Sequence, residues 1–174
     1  MHNVSFEGKF QPPEINDLPS WSVGNKIVLM EWKQNILTTD DEVRELLRGT
    51  KTIAVLGIKP ESRAGQPAFY VPKYMQDAGY EIIPVPVYYP DVTEILGKKV
   101  YRDLNQVPGD IDLLNVFRRS DDIRKHTLEI LDKKPKAVWF QLGIRNDEVA
   151  ERLAKAGIKV VQDLCLMVEH RALL

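Results

Sequence analysis

Four short segments hold the residues whose chemistry stands out. The first runs from Gly57 to Arg63 and offers Lys59, Ser62 and Arg63, with Gly65 just beyond, a set suited to holding phosphate. The second is Pro86 to Tyr89, and the third, Phe117 to Ser120, contains the pair Arg118-Arg119. The fourth, Gln141 to Arg145, places Gly143 before a further arginine. None of the four carries a well-placed carboxylate or histidine, so together they attract an anion rather than exchange protons. Each also has a plainer reading, as tight-turn glycines and solvated loop charges, with Arg118-Arg119 balancing Asp121 and Asp122. Elsewhere Cys165 and His170 stand five apart beside Asp163 and Glu169. On a helix they would form a thiolate pair whose pKa the helix N-terminus lowers. The plainer reading is a cysteine packed with Leu164, Leu166 and Met167 and an ion-paired histidine. His2, His126 and His170 lie far apart without metal-ligand spacing.

The elements that must position these segments follow from hydrophobic patterning. The run 52–58 is apolar and rich in β-branched residues, as in a strand buried on both faces. Gly57 ends it where backbone must approach a ligand without a Cβ. From Pro67, Phe69, Val71, Met75 and Ala78 fall at helical spacing, and Gly79 caps that helix. A strand, a phosphate-friendly loop and a helix N-terminus make the opening unit of a nucleotide-binding fold.

Further strands are expected over 80–87, 111–117, 137–142 and 159–161. Pro84 and Pro86 demote the first of these from a fully paired central position, or confine its pairing to its first half. Helices are expected after Thr39 or Asp40, with Val43, Leu46 and Leu47 inward, and after Ser120 or Asp121, carrying Ile123, Leu128 and Leu131. Another follows Asn146 or Asp147, with Val149, Ala150, Leu153 and Ala154, and a last one begins near Cys165. A short helical turn toward Gly97 and a brief edge strand at Val100-Tyr101 fill the gap between 88 and 108. Alternating strands and helices imply an α/β Rossmann-like doubly wound parallel sheet, with right-handed crossovers covering both faces. Residues 39–174 form this domain. Residues 1–38 are an N-terminal extension whose Trp21, Ile27 to Met30 and Trp32 pack on the domain or on a partner.

Composition sets the outer limits. The chain has 174 residues, 44% hydrophobic and 28% charged, enough for one domain with a sizeable core. Twenty-four basic residues against 25 acidic ones leave a net charge of -1, which argues against general nucleic-acid binding. The single cysteine excludes an internal disulfide, and no run is long enough to span a bilayer or serve as a signal peptide core. A reducing cytoplasm is the expected compartment.

The nucleotide remains to be chosen. A conventional NAD site has Gly-x-Gly-x-x-Gly and an acid ending the second strand. Here Gly57 is followed by Ile58, the next glycine is Gly65, and the second strand ends Val85-Pro86-Val87 with no acid between that end and Asp91. An acid at that strand end would repel a 3′-phosphorylated adenosine diphosphate, which tolerates its absence. The NAD(P)-type reading, as binding protein or enzyme, is the alternative.

Six motifs in order carry a resemblance: Ile53-Ala-Val-Leu-Gly57, Gly79-Tyr-Glu-Ile-Ile-Pro-Val85, Gly97-Lys-Lys-Val-Tyr101, Asp112-Leu-Leu-Asn-Val-Phe-Arg-Arg119, Val138-Trp-Phe-Gln-Leu-Gly143 and Asp163-Leu-Cys-Leu-Met-Val-Glu-His170. Across roughly 39–170 the chain resembles the small coenzyme A-binding proteins related to the nucleotide-binding domain of succinyl-CoA ligase alpha subunits. The resemblance implies a Rossmann-like fold with coenzyme A as ligand. It implies phosphates at Gly57, Ile58, Lys59 and Arg63, with Ser62 in the same loop. The adenosine would lie at Val85 and Pro86, and the pantetheine arm along Phe117, Arg118 and Gly143. The family commonly has Pro-Val-Asn-Pro after the second strand, where this chain has Pro84-Val-Pro-Val87, so an asparagine contact is missing. The ligase subunits carry a phosphorylated histidine in a second domain that this chain is too short to contain. The expectation is a CoA or acyl-CoA binding module with no catalytic residues and no metal of its own. A homodimer or a partner acyl-CoA enzyme would complete it. A thiol or redox role through Cys165 is the second alternative.

Overall fold

The structure, a computed structural model, describes residues 31–174. The expectations for Gln11 to Pro13, Leu18 to Ser20, Trp21 and Ile27 to Met30 lie outside the described residues. Trp32–Asn35 forms a turn of 3-10 helix, and Asn35 Nδ2 donates to Ala154 O at 2.9 Å. The first helix, α1 (Asp40–Gly49), starts at Thr39, whose hydroxyl accepts from Glu42 N at 3.4 Å. The Glu42 carboxylate in turn takes the Thr39 N–H at 3.0 Å. That reciprocal pairing satisfies two of the donors every helix start leaves free, and it buries Val43, Leu46 and Leu47 as their spacing requires.

Five strands form one parallel sheet in the order β2-β1-β5-β6-β7: β1 (Thr52–Leu56), β2 (Glu81–Val85), β5 (Leu113–Val116), β6 (Ala137–Phe140) and β7 (Lys159–Val161). A hairpin of β3 (Glu94–Ile95) and β4 (Lys98–Lys99) lies apart from it. Successive residues face opposite layers. Ile53, Val55, Leu113, Trp139 and Val161 pack with α1, α2 (Pro67–Asp77) and α5 (Leu166–Leu173). Ala54, Leu56, Leu114, Val116, Val138 and Phe140 pack with the segment 120–133 and α4 (Asp147–Lys155). The fold is the expected α/β Rossmann-like one, with helices on both faces.

Pro84 sits on the outer strand, as its missing N–H demands. β2 nonetheless pairs with β1 along its whole length, Thr52 opposite Glu81 through Leu56 opposite Val85, and not over its first half alone. The Pro84 carbonyl turns outward and accepts from Tyr101 N at 2.9 Å. The proline's nitrogen points to the same outer side, where no ladder bond is required. At the other edge Ile36 bridges Val160, and Leu37 N donates to Val160 O at 2.9 Å. Residues 36–37 of the extension thus cover the β7 edge.

Three local expectations are corrected. The stretch toward Gly97 is the β3–β4 hairpin, not a helical turn. Leu96 (φ 55°) and Gly97 (φ 69°) both adopt positive φ, which a two-residue hairpin turn needs. Val100-Tyr101 is not a strand, although Tyr101 reaches β2 through the bond above. After β5 the chain runs as a 3-10 helix over Ser120–His126 before α3 (Thr127–Lys133), so Ile123 and Ile130 turn inward. Leu128, expected in the core, is 69% exposed.

Candidate functional site

Strand order reverses between β1 and β5: after β1 the chain goes out to β2, then returns to the other side of β1. Their adjacent carboxyl ends send the chain to opposite layers, which opens a crevice there. Gly57 stands at that point with φ +87°. A Cβ on it would lie 2.4 Å from Phe117 O and 3.3 Å from Arg118 Cδ. Gly57 N donates to Val85 O at 2.8 Å and Phe117 N to Leu56 O at 2.9 Å, so the exits of β1, β2 and β5 are tied into one surface.

Arg118 lies across this junction. Its side chain is only 10% exposed, its guanidinium stands 5.4 Å from the Tyr88 ring, and Nη2 is 3.7 Å from Asp122 Oδ2. Lys125 chiefly, with Arg118 and Arg119, holds the Asp122 carboxyl below its usual range. The Arg118 Nε–H is buried and has no hydrogen-bond partner among the described residues. A buried donor of this kind requires an explanation, and an anionic oxygen would satisfy it.

The loop after β1 is shaped by a proline inside α2. Pro72 has no N–H to give to Ala68 O, and Lys59 N takes that carbonyl at 3.1 Å. The Lys59 ammonium reaches the Gln66 side-chain carbonyl at the start of α2. Gln66 makes no side-chain capping hydrogen bond, but Pro67 has no N–H and Phe69 N donates to Gln66 O at 2.8 Å, so the first turn of the helix leaves at most the Ala68 N–H for a ligand. A cation placed at the positive end of a helix dipole is unfavourable unless an anion joins it. Among the described residues Lys59 has no ion pair.

The other expected residues fall into groups. Ile58 is buried in the core, leaving only its backbone for a ligand. Ser62 and Arg63 stand exposed on the 3-10 turn Glu61–Arg63, and no side-chain hydrogen bond ties them to the described residues. Phe117 packs half-buried against the core. The N–H of Gly143 (φ +79°) is occupied by Asp163 Oδ1 at 2.6 Å, and Arg145 faces Asp147 at 2.9 Å on the surface. Val85 and Pro86 line a cavity of about 390 Å³ with Leu56, Val87, Tyr88 and Pro90.

Arg102, His126 and Glu129 complete that cavity, and strand-end reasoning missed all three. It looked for chemistry only in residues directly following strands, whereas these arrive from the hairpin exit and from the 120–133 helix. The expectation that no carboxylate or histidine serves this edge is corrected for the same reason. The i, i+3 spacing of His126 and Glu129 was the available signal. Arg102 Nη2 donates to Pro90 O at 2.9 Å and also to Val92 O, which fixes the 88–92 lip. Glu129 accepts from Leu104 N at 2.6 Å and pairs with His126 Nδ1 at 3.3 Å. The His126 bond, with the Leu104 N–H, outweighs burial and holds the Glu129 carboxyl below its usual range.

Cys165 and His170 do not form a pair. Cys165 is half-buried at the start of α5, after β7. His170 lies at the opposite edge of the sheet, where it borders Thr50, Tyr80 and Glu81. Its Nδ1 is 3.0 Å from the Tyr74 hydroxyl, and its ring meets those of Tyr74 and Tyr80 edge-on. Among the described residues no cluster of metal ligands occurs, and no helix is long and apolar enough to cross a membrane.

Comparison with known proteins supports the fold and points to a family. A family model described as CoA binding domain matches residues 51–171. The chain is 40% identical over 129 residues to the uncharacterised protein YneT of Bacillus subtilis strain 168, covering 74% of this chain and 92% of that one. A solved structure from Thermus thermophilus superposes with a TM-score of 0.72 at 40% identity, over 79% of this chain and 100% of that one. A hypothetical protein from Pyrococcus horikoshii OT3 gives 0.70 at 32% identity, over 78% and 92%.

Proposed function

The chain belongs to the CoA-binding domain family, and we propose that it binds coenzyme A or an acyl-CoA along the carboxyl edge of its sheet. The observation that carries this reading is the junction at Gly57, where bare backbone lies under Arg118, whose buried Nε–H has no partner among the described residues. The pyrophosphate lies over Gly57 and the start of α2, within reach of Lys59, Arg118 and the exposed Ser62 and Arg63. The adenosine enters the cavity beside Val85 and Pro86. The pantetheine arm leaves past Phe117 toward Gly143, whose occupied N–H presents flat backbone. On this reading the protein acts as a binding module for a partner acyl-CoA enzyme in a reducing cytoplasm.

One observation favours a second reading. The Glu129 carboxylate in the cavity wall suits a dinucleotide of NAD type, which lacks the 3′-phosphate. Isothermal titration with coenzyme A, dephospho-CoA and NAD separates the two. Coenzyme A is expected to bind most tightly, and NAD binding without coenzyme A binding would reject the first reading. Arg118→Ala is expected to weaken coenzyme A binding by about tenfold or more, the size of one charge-assisted hydrogen bond, and Arg145→Ala by about twofold or less. Equal effects would count against the placement of the phosphates.

A further inference from the structure

The cavity beside β2 has two unlike walls. Leu56, Val85 and Pro86 form an apolar wall continuous with the sheet, and Glu129 with His126 forms a polar one. At about 390 Å³ it falls within the range of small-ligand pockets, roughly 300–1,000 Å³. Arg102 also borders it, but its guanidinium is committed to the carbonyls of the lip, with Nη2 2.9 Å from Pro90 O. Arg102 thus keeps its charge at the lip, and the charged group facing a ligand beside His126 is the Glu129 carboxylate.

That carboxylate is fixed from two sides. One oxygen takes the Leu104 N–H and the other meets His126 Nδ1. An ionised carboxyl has about four lone-pair sites, so acceptor capacity remains toward the cavity while no donor does. Phosphate is repelled from such a wall and stays with Lys59 and Arg118. A flat neutral ring fits the apolar side, and its edge must present N–H to the polar side.

On the premise of the CoA reading, we infer that Glu129 is the residue that selects adenine, by accepting a hydrogen bond from its 6-amino group. Hypoxanthine, which carries a carbonyl at the same position, turns an acceptor toward the carboxylate. Rejection then comes from two facing lone pairs and an unsatisfied buried group, a stronger filter than a difference in shape.

Competition titrations of the full chain with coenzyme A, ADP and IDP test this. ADP is expected to compete at least about tenfold better than IDP, and in Glu129→Gln the gap is expected to shrink to about threefold or less. The glutamine keeps an oxygen for the Leu104 N–H, and a thermal melt checks that the fold survives. Binding of coenzyme A with equal competition by ADP and IDP overturns the inference and leaves the CoA reading standing. A gap that persists in the variant also overturns it. If neither coenzyme A nor ADP binds, the CoA reading fails and the inference fails with it. A measurement on the unaltered protein decides the matter if the variant unfolds: transferred NOEs from adenine H2 and H8 to the His126 ring protons. Their absence with saturating ADP rejects this location for the base.

Discussion

At the scale of single residues, Gly57 has the least freedom. Its φ of +87° is strained for any L side chain, and the atom a Cβ would strike, Phe117 O at 2.4 Å, belongs to backbone. That backbone cannot retreat, because Phe117 N is held by Leu56 O at 2.9 Å. Gly57→Ala should therefore cost roughly 2–4 kcal/mol of stability, combining backbone strain with overpacking. Urea unfolding measures it, and a loss below about 1 kcal/mol would mean that the β1 and β5 exits part more easily than this geometry allows. Gly57 and Arg118 were legible in the sequence for one physical reason. Both directly follow buried strands, and the carboxyl ends of such strands are where a wound sheet opens. His126 and Glu129 were not legible, because their place depends on how a helix from the other side of the switch point lies back over β1 and β2.

At the scale of elements, α5 joins the two edges of the sheet, with Cys165 at the carboxyl edge and His170 at the opposite one. Burial between Tyr74 and Tyr80 lowers the His170 pKa from 6.5, so the fold keeps the ring neutral. The unfolded chain takes up that proton first, so this site removes stability as pH falls below about 6.5. Glu169 acts with the opposite sign: burial, with Asp40 nearby, raises its pKa from 4.5, and its effect lies at lower pH. His170→Asn retains a polar group for the Tyr74 hydroxyl but cannot titrate. Its melting temperature should fall less than the parent's between pH 7 and pH 5.5, and parallel decreases would show that the histidine is not held neutral. Element-level reading of the sequence succeeded where one periodicity ran unbroken, as in α1 and α4. It misplaced Leu128 because the chain passes from three residues per turn to 3.6 within 120–133, which shifts the inward face to Ile123 and Ile130. It missed the β3–β4 hairpin because a two-residue strand carries no alternation to read.

At the scale of the whole molecule, the sheet is clamped at the amino ends of its strands. Asp112 Oδ2 accepts from Lys51 N at 2.9 Å and Thr52 N at 3.0 Å, and Oδ1 pairs with Lys136 Nζ at 2.6 Å. One carboxylate thus gathers the entrances of β1, β5 and β6, at the end of the sheet opposite the Gly57 junction. Burial works against its charge, but Lys136 and the two backbone N–H groups prevail and bring its pKa down to about 2. Since the folded value lies below the unfolded one of about 3.9, the contribution is complete above that range and is lost as pH falls toward 2. The shift corresponds to about 2 kcal/mol at neutral pH. Asp112→Asn should lower stability by that order at pH 7, measured by denaturant unfolding. Near pH 2 the parent carboxyl is about half protonated in the folded protein and almost wholly so in the unfolded chain, so most of the difference between the two proteins should be gone there. A difference that stayed constant from pH 7 to pH 2 would assign the cost to lost packing or altered hydrogen bonding. The clamp would then owe nothing to the charge that joins the entrances of three strands.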